Sequence, residues 1–258
     1  MESNEVWACC EADVVVGFPD YSIKEVLTVL HTNRFRRLPI VDRDNELQGI
    51  IVISDIIRWL QLGPGNVDEK AKAIMTGDLI TIEATETVQT ATKIMRENNI
   101  SCLPIVLEGA RLVGIITERD ILNFKGVAAD HLNTPVSEFL RDDELLTLPV
   151  DVPVQEVLDK LVEKTVRRAL LIENEKLVGI LTAADILDAF IAEGEAMREK
   201  LAREIATPNV LFVSPKTPIS AAVALMRQEN IGQLPIVEDG RIIGVFTERD
   251  CVLMLAET

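Results

Sequence analysis

The alternation of apolar and polar positions between residues 79 and 125 predicts five elements in a fixed order. A β-branched run over 79–82 predicts a strand, and apolar residues at helical spacing predict a helix over 87–98. Two further apolar runs, 100–106 and 112–116, flank a Glu-Gly turn and predict a hairpin. A second helix is predicted to begin at Thr117. The order is strand, helix, strand, turn, strand, helix.

This order occurs four times along the chain. Where the third strand of each copy meets the second helix, the segments share one layout that starts with Gly and ends with Asp, namely 49–55, 114–120, 179–185 and 244–250. Corresponding residues lie 65 positions apart. A constant period of this length indicates a repeated architecture. One unit of short strands and two helices cannot bury its own faces, so neighbouring units should pack sheet against sheet in pairs.

The predicted boundaries follow from this period. We expect an N-terminal extension over 1–11 and two modules over 1–128 and 129–258, with repeats 1 to 4 spanning 12–62, 70–126, 134–192 and 203–258. The least regular stretches are 63–66 and 126–130, and the second marks the midpoint of the chain.

Helix starts and one linker are predicted from local signals. Ser22 and Glu25 form a capping-box pattern. Thr217 is predicted as a helix cap with Pro218 at the first helical position. The charged segment 186–206 is predicted to be a long solvated helix between repeats 3 and 4.

Composition narrows the function. Hydrophobic residues make up 48% of the 258 residues but aromatic residues only 4%, so aliphatic side chains must fill the core. The net charge of −16 is shared by both halves, which counts against binding to nucleic acid or an anionic membrane. No apolar run approaches the roughly 18 residues of a membrane span, and the acidic start differs from a signal peptide. We therefore expect a cytoplasmic protein.

Few residues suggest catalysis or metal binding. The four cysteines form no Cys-x-x-Cys motif, which argues against a zinc site or redox dithiol. Neither His31 nor His131 has a companion at a telling spacing, and the chain has no Walker-type glycine-rich loop. We predict that the protein is not an enzyme, holds no metal and requires no cofactor.

The recurring Gly-x-x-Thr-x-x-Asp motif can form a nucleotide site. Its Gly allows close backbone approach, and its Thr lies where a strand turns into a helix. The first N–H groups of a helix attract anions, and the Asp is placed to accept hydrogen bonds from a ribose diol. The alternative is that Thr and Asp only cap the helix. Recurrence does not decide between them, because duplication repeats caps as well as sites.

The full layout closely resembles the CBS domain. Leu-Pro-Ile-Val precedes Gly-Ile-Ile-Thr-Glu-Arg-Asp-Ile-Leu by about ten residues in repeat 2, and repeat 4 is similar. Repeat 1 matches well, as does repeat 3 despite Ala-Leu-Leu at 169–171. The resemblance implies an α/β (α+β) fold of four CBS repeats in two Bateman modules, each a pseudo-twofold pair. Such pairs commonly bind AMP, ADP, ATP or S-adenosylmethionine. Similar four-repeat chains are the γ subunit of AMP-activated protein kinase and stand-alone archaeal proteins.

The resemblance carries over to each copy separately. Repeat 1 has Val52 in place of the Thr, which puts its phosphate corner in doubt. The candidate ribose and phosphate residues in the four motifs are Asp55, Thr117, Asp120, Thr182, Asp185, Thr247 and Asp250.

Family members often place a basic residue just before Leu-Pro to contact phosphate. Repeats 1 and 3 have Arg36-Arg37 and Arg167-Arg168 there, whereas repeats 2 and 4 have Cys102 and Gln233. If paired repeats face each other, Arg37 would reach a phosphate at Thr117, and Arg168 one at Thr247. The alternative is that these arginines are surface charges on a strand edge. Arg119 and Arg249 would face phosphate as well, or else water or a neighbouring acid.

The strand before the first helix usually contacts adenine in this family. The matching residues are Ile80-Thr81, Leu146-Thr147 and Leu211-Phe212. The alternative, favoured for most of them, is an ordinary core strand.

The predicted function is regulatory. AMP, ADP or ATP would bind between paired repeats as a regulatory ligand and change their arrangement, and an unidentified regulated protein or a second copy in a homodimer would sense the change. Two alternatives stay open: a sensor of S-adenosylmethionine or of a cation, and a ligand-independent scaffold.

Overall fold

The computed structural model describes residues 4–63, 66–125, 131–140 and 145–255. The predicted turn at 64–65, the midpoint stretch 126–130 and residues 256–258 of repeat 4 lie outside this range. Repeat 1 comprises α1 (Ile23–Asn33), β1 (Arg37–Val41), β2 (Leu47–Val52) and α2 (Ile53–Gln61). Repeat 2 comprises β3 (Ile82–Glu83), α3 (Val88–Glu97), β4 (Cys102–Leu107), β5 (Arg111–Thr117) and α4 (Glu118–Lys125).

The second half of the chain repeats this order. Repeat 3 comprises β6 (Thr147–Pro149), α5 (Val154–Glu163), β7 (Arg168–Glu173), β8 (Lys176–Thr182) and α6 (Ala183–Glu193). The short elements α7 (Ala202–Ile205) and β9 (Thr207–Pro208) lead into repeat 4, which comprises α8 (Ile219–Gln228), β10 (Gln233–Glu238), β11 (Arg241–Thr247) and α9 (Glu248–Leu255). Mixed helices and small sheets confirm the predicted α/β (α+β) class.

Each sheet is built on an antiparallel hairpin, which a short parallel strand joins in repeats 2 and 3 and a single parallel bridge joins in repeats 1 and 4. The hairpins are β1–β2, β4–β5, β7–β8 and β10–β11. Ile82 pairs in parallel with Ile105. Of the strand predicted over 79–82, only Ile82 lies in a strand. The preceding residues do not, because the chain at Thr76 is still paired with Ile50 of repeat 1. Residues 77–81 cross from one sheet to the other.

Paired repeats exchange short strand segments. Thr76, near the start of repeat 2, pairs with β2 of repeat 1, and Glu11, just before repeat 1, pairs with Ile115 in β5 of repeat 2. In the second half, Thr207–Pro208 pairs with β8 of repeat 3. This exchange joins repeat 1 to repeat 2 and repeat 3 to repeat 4.

The motif glycines lie under these exchanged segments. A Cβ at Gly49 would lie 3.0 Å from the carbonyl oxygen of Thr76 and 2.8 Å from Met75 Sδ. A Cβ at Gly114 would lie 3.2 Å from the carbonyl oxygen of Glu11. The close backbone approach expected of this Gly is therefore observed, and the approaching group is the exchanged segment.

The N-terminal segment also forms hydrogen bonds at the start of the first helix of repeat 2. The Val88 N–H of α3 donates to the Asn4 carbonyl oxygen, and the Val6 N–H donates back to Glu86. Val6 is fully buried in the core of repeat 2, so this part of the predicted extension 1–11 is a structural element.

The hydrophobic core is organised differently in the two sides of the molecule. One continuous cluster contains residues of both repeat 1 and repeat 3, where α2 packs on α5 and α6. Trp59 of α2 meets Phe190 of α6 edge to face at 6.0 Å. Repeats 2 and 4 keep separate clusters, each of which receives one residue from the other: Val252 in repeat 2 and Leu122 in repeat 4. The cores are mostly aliphatic, as the composition predicts.

The prediction of a single solvated helix over 186–206 is wrong. Helix α6 ends at Glu193, and Gly194 adopts a positive φ of 60° that a regular helix does not use. A 3₁₀ segment (Gly194–Glu199) and α7 follow. Met197 and Ala202 are fully buried, so this linker belongs to the shared core of repeats 1 and 3.

Two predicted helix starts have different outcomes. The capping box at Ser22 is confirmed, because the Ser22 hydroxyl accepts from the Glu25 N–H and Glu25 accepts from the Ser22 N–H. Thr217 does not cap α8, whose cap residue is Pro218 in an extended conformation. The Thr217 hydroxyl accepts instead from the Ser214 N–H at 3.1 Å.

Candidate functional site

The Thr and Asp of the recurring motif are bonded to each other. In repeat 2, Asp120 Oδ2 accepts from the Thr117 N–H at 2.8 Å and from the Thr117 hydroxyl at 2.6 Å. The Asp120 N–H donates to Thr117 Oγ1 at 3.3 Å. The pairs Thr182–Asp185 and Thr247–Asp250 have the same three bonds. The helix cap foreseen as an alternative is therefore present in three copies.

Repeat 1 keeps only half of this arrangement. Asp55 Oδ2 accepts from the Val52 N–H at 2.9 Å, and Val52 supplies no hydroxyl. Burial raises the pKa of the Asp55 carboxyl, against the opposing effect of the Val52 N–H and Arg58. Burial likewise raises the pKa of Asp185 in repeat 3. These carboxyl groups stand in partly desolvated corners, where a hydrogen-bond donor on a ligand would be strongly favoured.

Arg37 and Arg168, the first residues of β1 and β7, lie at the same end of their sheets as the motifs. Arg37 is the register partner of Val52, and Arg168 is the register partner of Thr182. Arg37 also reaches out of its own repeat, because its Nη1 donates a long hydrogen bond of 3.4 Å to the Ser101 carbonyl oxygen of repeat 2. Arg37 thus contacts repeat 2, the repeat whose Thr117 was predicted to share a phosphate with it.

The charge of Arg168 interacts with charged residues of all four repeats. Its pKa falls to about 9, first because the side chain is buried and second because Arg167 and Arg36 repel its charge. Asp250 of repeat 4 and Glu118 of repeat 2 oppose this fall. The guanidinium stays charged at neutral pH and lies within electrostatic range of the repeat 4 motif.

Arg36 and Arg167 lie directly before β1 and β7, beside Arg37 and Arg168. Both side chains keep solvent-accessible surface. Burial among protein atoms nevertheless lowers the pKa of both, and other arginines lower it further. Because these charges interact with the arginines and glutamates of the motif region, Arg36 and Arg167 are further candidates for the site, as the sequence pairs Arg36-Arg37 and Arg167-Arg168 indicated.

Arg119 and Arg249 face acids from the opposite module. Arg119 Nε lies 2.6 Å from Glu248 Oε1, and its Nη1 donates to Asn230 Oδ1 at 2.6 Å. Arg249 Nε lies 3.6 Å from Glu118 Oε1. Both arginines therefore pair with a neighbouring acid, one of the environments expected for them, and their contact with phosphate stays a prediction.

Within the described residues, six arginines therefore converge between the four motifs. The carboxylates that act on the charge of these arginines include Glu118, Glu248 and Asp250. In a chain of net charge −16, such a cluster of arginines is a candidate site for anions. Glu118 and Glu248 were not among the candidate residues named from the sequence. The available signal was that repeats 2 and 4 have Glu-Arg inside the motif, where repeats 1 and 3 have Ile-Ser and Ala-Ala.

Apolar side chains are exposed on the segments that cross between paired sheets. Ile80 is 38% exposed, Leu211 43% and Phe212 55%, so these three are not core residues. Leu146 is buried and follows the core-strand alternative, while its neighbour Thr147 in β6 is exposed. Thr81 is half-buried beside Ile80. Val15, which was not among the candidates named from the sequence, is 38% exposed near the start of repeat 1, 65 residues before Ile80.

Other candidate residues have structural partners. His31 Nδ1 lies 2.6 Å from Asp188 Oδ1, and the His131 ring packs edge-on against Phe139 at 5.5 Å. Over the described ranges, His, Cys, Asp and Glu side chains form no group of three or more that could hold a metal ion. In the same part of the chain, no helix is long and apolar enough to cross a membrane.

Comparison with known proteins agrees with this architecture. The model of the CBS domain matches four segments, residues 9–62, 71–126, 136–192 and 202–257. The uncharacterized 33.4 kDa protein in the ribosomal RNA operon of Thermofilum pendens is 27% identical over 259 residues, covering 90% of this chain and 85% of that protein. Protein MJ1225 of Methanocaldococcus jannaschii is 24% identical over 269 residues, covering 94% and 95%.

Two solved structures share the whole fold. The crystal structure of MJ1225, described as a proposed archaeal homologue of γ-AMPK, matches with a TM-score of 0.89 and 22% identity over 98% of this chain and all of that one. An uncharacterized conserved protein from Pyrococcus horikoshii matches with a TM-score of 0.67 and 20% identity, covering 97% and 99%. The resemblance drawn from the sequence is confirmed.

Proposed function

Because the chain belongs to the CBS domain family, we propose that it is a regulatory protein that binds AMP, ADP or ATP between paired repeats and transmits occupancy to a partner. The observation that carries this proposal is the convergence of six arginines on the four motif corners. Like charges that are partly desolvated repel one another, and a bound anion relieves that repulsion. A phosphate group is well matched to the forked guanidinium donors.

The three parts of a nucleotide would meet three kinds of residue. Its phosphate would contact Arg37 or Arg168, and its ribose would contact the motif Asp. The helix caps use Oδ2 of Asp120 and Asp185, so a ribose hydroxyl would approach Oδ1. Its adenine would lie against the exposed apolar crossing segments at Ile80 and at Leu211–Phe212. Apolar and aromatic surface of this kind suits the flat face of a base.

The binding unit in this proposal is the pair of repeats, with modules over 1–128 and 129–258. The exchanged strands support this division, because repeats 1 and 2 pair with each other's sheets and β9 joins repeat 4 to the sheet of repeat 3. Repeat 1 is the weakest site, since Val52 supplies no hydroxyl. We place the protein in the cytoplasm, with an unidentified regulated protein or a second copy of the chain as the partner.

The charge of the site favours phosphorylated ligands over S-adenosylmethionine. That molecule carries a net positive charge at neutral pH, so the arginines would repel it. Adenosine, which is uncharged, would gain the ribose and adenine contacts but no contact from the arginines. A scaffold without ligand would show no binding at all. These alternatives differ in one measurable ranking of ligands.

Calorimetry and thermal unfolding with AMP, ADP, ATP, adenosine and S-adenosylmethionine test the proposal. A ligand at 100 times its dissociation constant should stabilise the protein by about 2.7 kcal/mol. Arg168→Gln should weaken AMP binding about tenfold to a hundredfold and leave adenosine unchanged. Arg241→Gln is the matched control, because Arg241 lies in repeat 4 and its side chain is 74% exposed. Equal losses for AMP and adenosine, or no binding by the wild type, would contradict the proposal.

A further inference from the structure

The motifs of repeats 2 and 4 are tied together by crossed ion pairs. Glu118 and Arg119 are consecutive residues at the start of α4, and Glu248 and Arg249 are their counterparts at the start of α9. Each arginine pairs with the glutamate of the other repeat, at 2.6 Å for Arg119–Glu248 and 3.6 Å for Arg249–Glu118. The two pairs link the module of residues 1–128 to the module of residues 129–258.

At the corresponding motif positions repeats 1 and 3 have no charged side chains, although Arg34 and His31 of repeat 1 pair with Asp188 of repeat 3 elsewhere in their contact. The motif positions have Ile53-Ser54 and Ala183-Ala184, and both Ile53 and Ala183 are buried. These residues belong to one continuous hydrophobic cluster that spans both repeats. Burial of apolar surface is not reversed by a charged ligand, whereas an ion pair can exchange one partner for another. The two sides of the molecule therefore differ in how a nucleotide can affect them.

The two glutamates are held away from solvent. The side chains of Glu118 and Glu248 are only 12% and 16% exposed. Burial raises the pKa of Glu118, and Arg249, Arg167 and Arg37 counter the rise. A shielded carboxylate of this kind depends on its cationic partners, and it occupies the same guanidinium groups that a phosphate would need. Glu118 and Glu248 thus compete with any anionic ligand at the centre of the molecule.

We propose that Glu118 and Glu248 are internal counter-ions that a bound phosphate displaces from Arg249 and Arg119. Displacement loosens the contact between repeats 2 and 4, while the fused core of repeats 1 and 3 stays closed and acts as the hinge between modules. This proposal rests on the proposed function for its ligand. It adds the route by which occupancy changes the arrangement of the modules. Both glutamates are positioning residues, since they act through the arginines.

Binding of AMP to Glu→Gln variants tests the competition. Glu248→Gln removes the negative charge that opposes Arg119, and Glu118→Gln removes the one that opposes Arg249, without large loss of side-chain volume. Each variant should bind AMP about tenfold more tightly, in the usual range of coupling between sites, and should bind adenosine as the wild type does. Glu97→Gln is the matched control, because Glu97 lies on α3, is 53% exposed and pairs with Lys93 one helical turn away.

Hydrogen exchange without ligand provides the second readout. If the crossed pairs hold repeats 2 and 4 together, the backbone amides of α4 and α9 should exchange faster in the double variant Glu118→Gln/Glu248→Gln than in the wild type. The exchange rates in α2 and α6 should stay the same. Unchanged exchange in α4 and α9 would overturn the proposal, as would equal AMP affinity in variants and wild type. The two proposals can fail separately. If the proposed function is wrong, the wild type binds no nucleotide, but the faster exchange in the double variant is still observed.

Discussion

Arg198 donates a hydrogen bond of 2.6 Å to the carbonyl oxygen of Leu60, which lies in the other module. Its side chain is 15% exposed and also bonds Glu195 at 2.6 Å and Gln155. Arg198 lies in the linker after α6, and its guanidinium therefore caps a carbonyl oxygen at the C-terminal end of α2. One arginine joins repeat 1, repeat 3 and the segment between repeats 3 and 4.

Replacing Arg198 should weaken the shared core of repeats 1 and 3. We expect Arg198→Ala to lower the free energy of unfolding by about 2 to 3 kcal/mol, because the Leu60 carbonyl and Gln155 lose a charged donor. Arg203→Ala is the control, since Arg203 is 45% exposed and should contribute less than about 1 kcal/mol. Urea denaturation measures both. Equal losses in the two variants would show that the bonds of Arg198 contribute nothing beyond a surface pair.

Adding a methyl group at Gly49 should press on the exchanged strand. The new Cβ of Gly49→Ala would lie 3.0 Å from the Thr76 carbonyl oxygen and 2.8 Å from Met75 Sδ. We expect a loss of about 1 to 3 kcal/mol by thermal unfolding, as for other overpacked sites. Gly77→Ala is the comparison, because its Cβ would meet nothing closer than 3.9 Å. A neutral Gly49→Ala would mean that the exchanged segment shifts freely.

The buried Asp55 carboxyl should make stability depend on pH. Because burial raises its pKa in the folded state, folding favours the protonated form. That contribution is complete below the ordinary value of 3.8 and is lost as pH rises through the raised pKa. Asp55→Asn cannot ionise, so it should gain stability relative to the wild type between about pH 4 and pH 7. Urea midpoints across this range measure the difference.

Asp44→Asn serves as the control for this pH series. Asp44 is exposed in the turn between β1 and β2, so Asp44→Asn makes the same chemical change at a solvated position. If Asp55→Asn and Asp44→Asn differ from the wild type by the same amount at every pH, burial of the Asp55 carboxyl does not affect its affinity for protons.

Loss of the capping box should destabilise repeat 1 by a modest amount. Ser22 accepts from the Glu25 N–H at 3.2 Å, and Glu25 accepts from the Ser22 N–H at 2.7 Å. Ser22→Ala should lower the free energy of unfolding by about 1 kcal/mol. Thr32→Ala, at an exposed position near the end of the same helix, should change it by less than about 0.5 kcal/mol. If Thr32→Ala lowers the free energy of unfolding as much as Ser22→Ala does, the capping box contributes little to stability.

Local sequence patterns predicted the elements but misplaced some of their ends. Helix α3 and hairpin β4–β5 follow directly from apolar spacing and a turn, which act over a few residues. The strand at 79–82 and the helix at 186–206 were mispredicted because distant residues decide them. Thr76 is already committed to β2 of repeat 1, and Met197 is buried in a core that repeat 1 completes.

The candidate site shows the same division. The motif and its family resemblance identified Thr117, Asp120, Arg37 and Arg168 from the sequence. Arg36, Arg167, Glu118 and Glu248 join the site because β1, β7, α4 and α9 converge at one place. No spacing within one repeat carries that information, since the pairs Arg119–Glu248 and Arg249–Glu118 join residues 129 and 131 positions apart.

The sequence by itself determined the 65-residue period, the α/β repeat and the family, because side-chain periodicity and helix caps are local properties. Only the tertiary structure decided that repeats 1 and 3 share one core while repeats 2 and 4 meet through ion pairs. That difference depends on which surfaces face each other once the repeats have exchanged strands. A charge such as Arg119 becomes a link or a ligand contact only through the partner that packing brings to it.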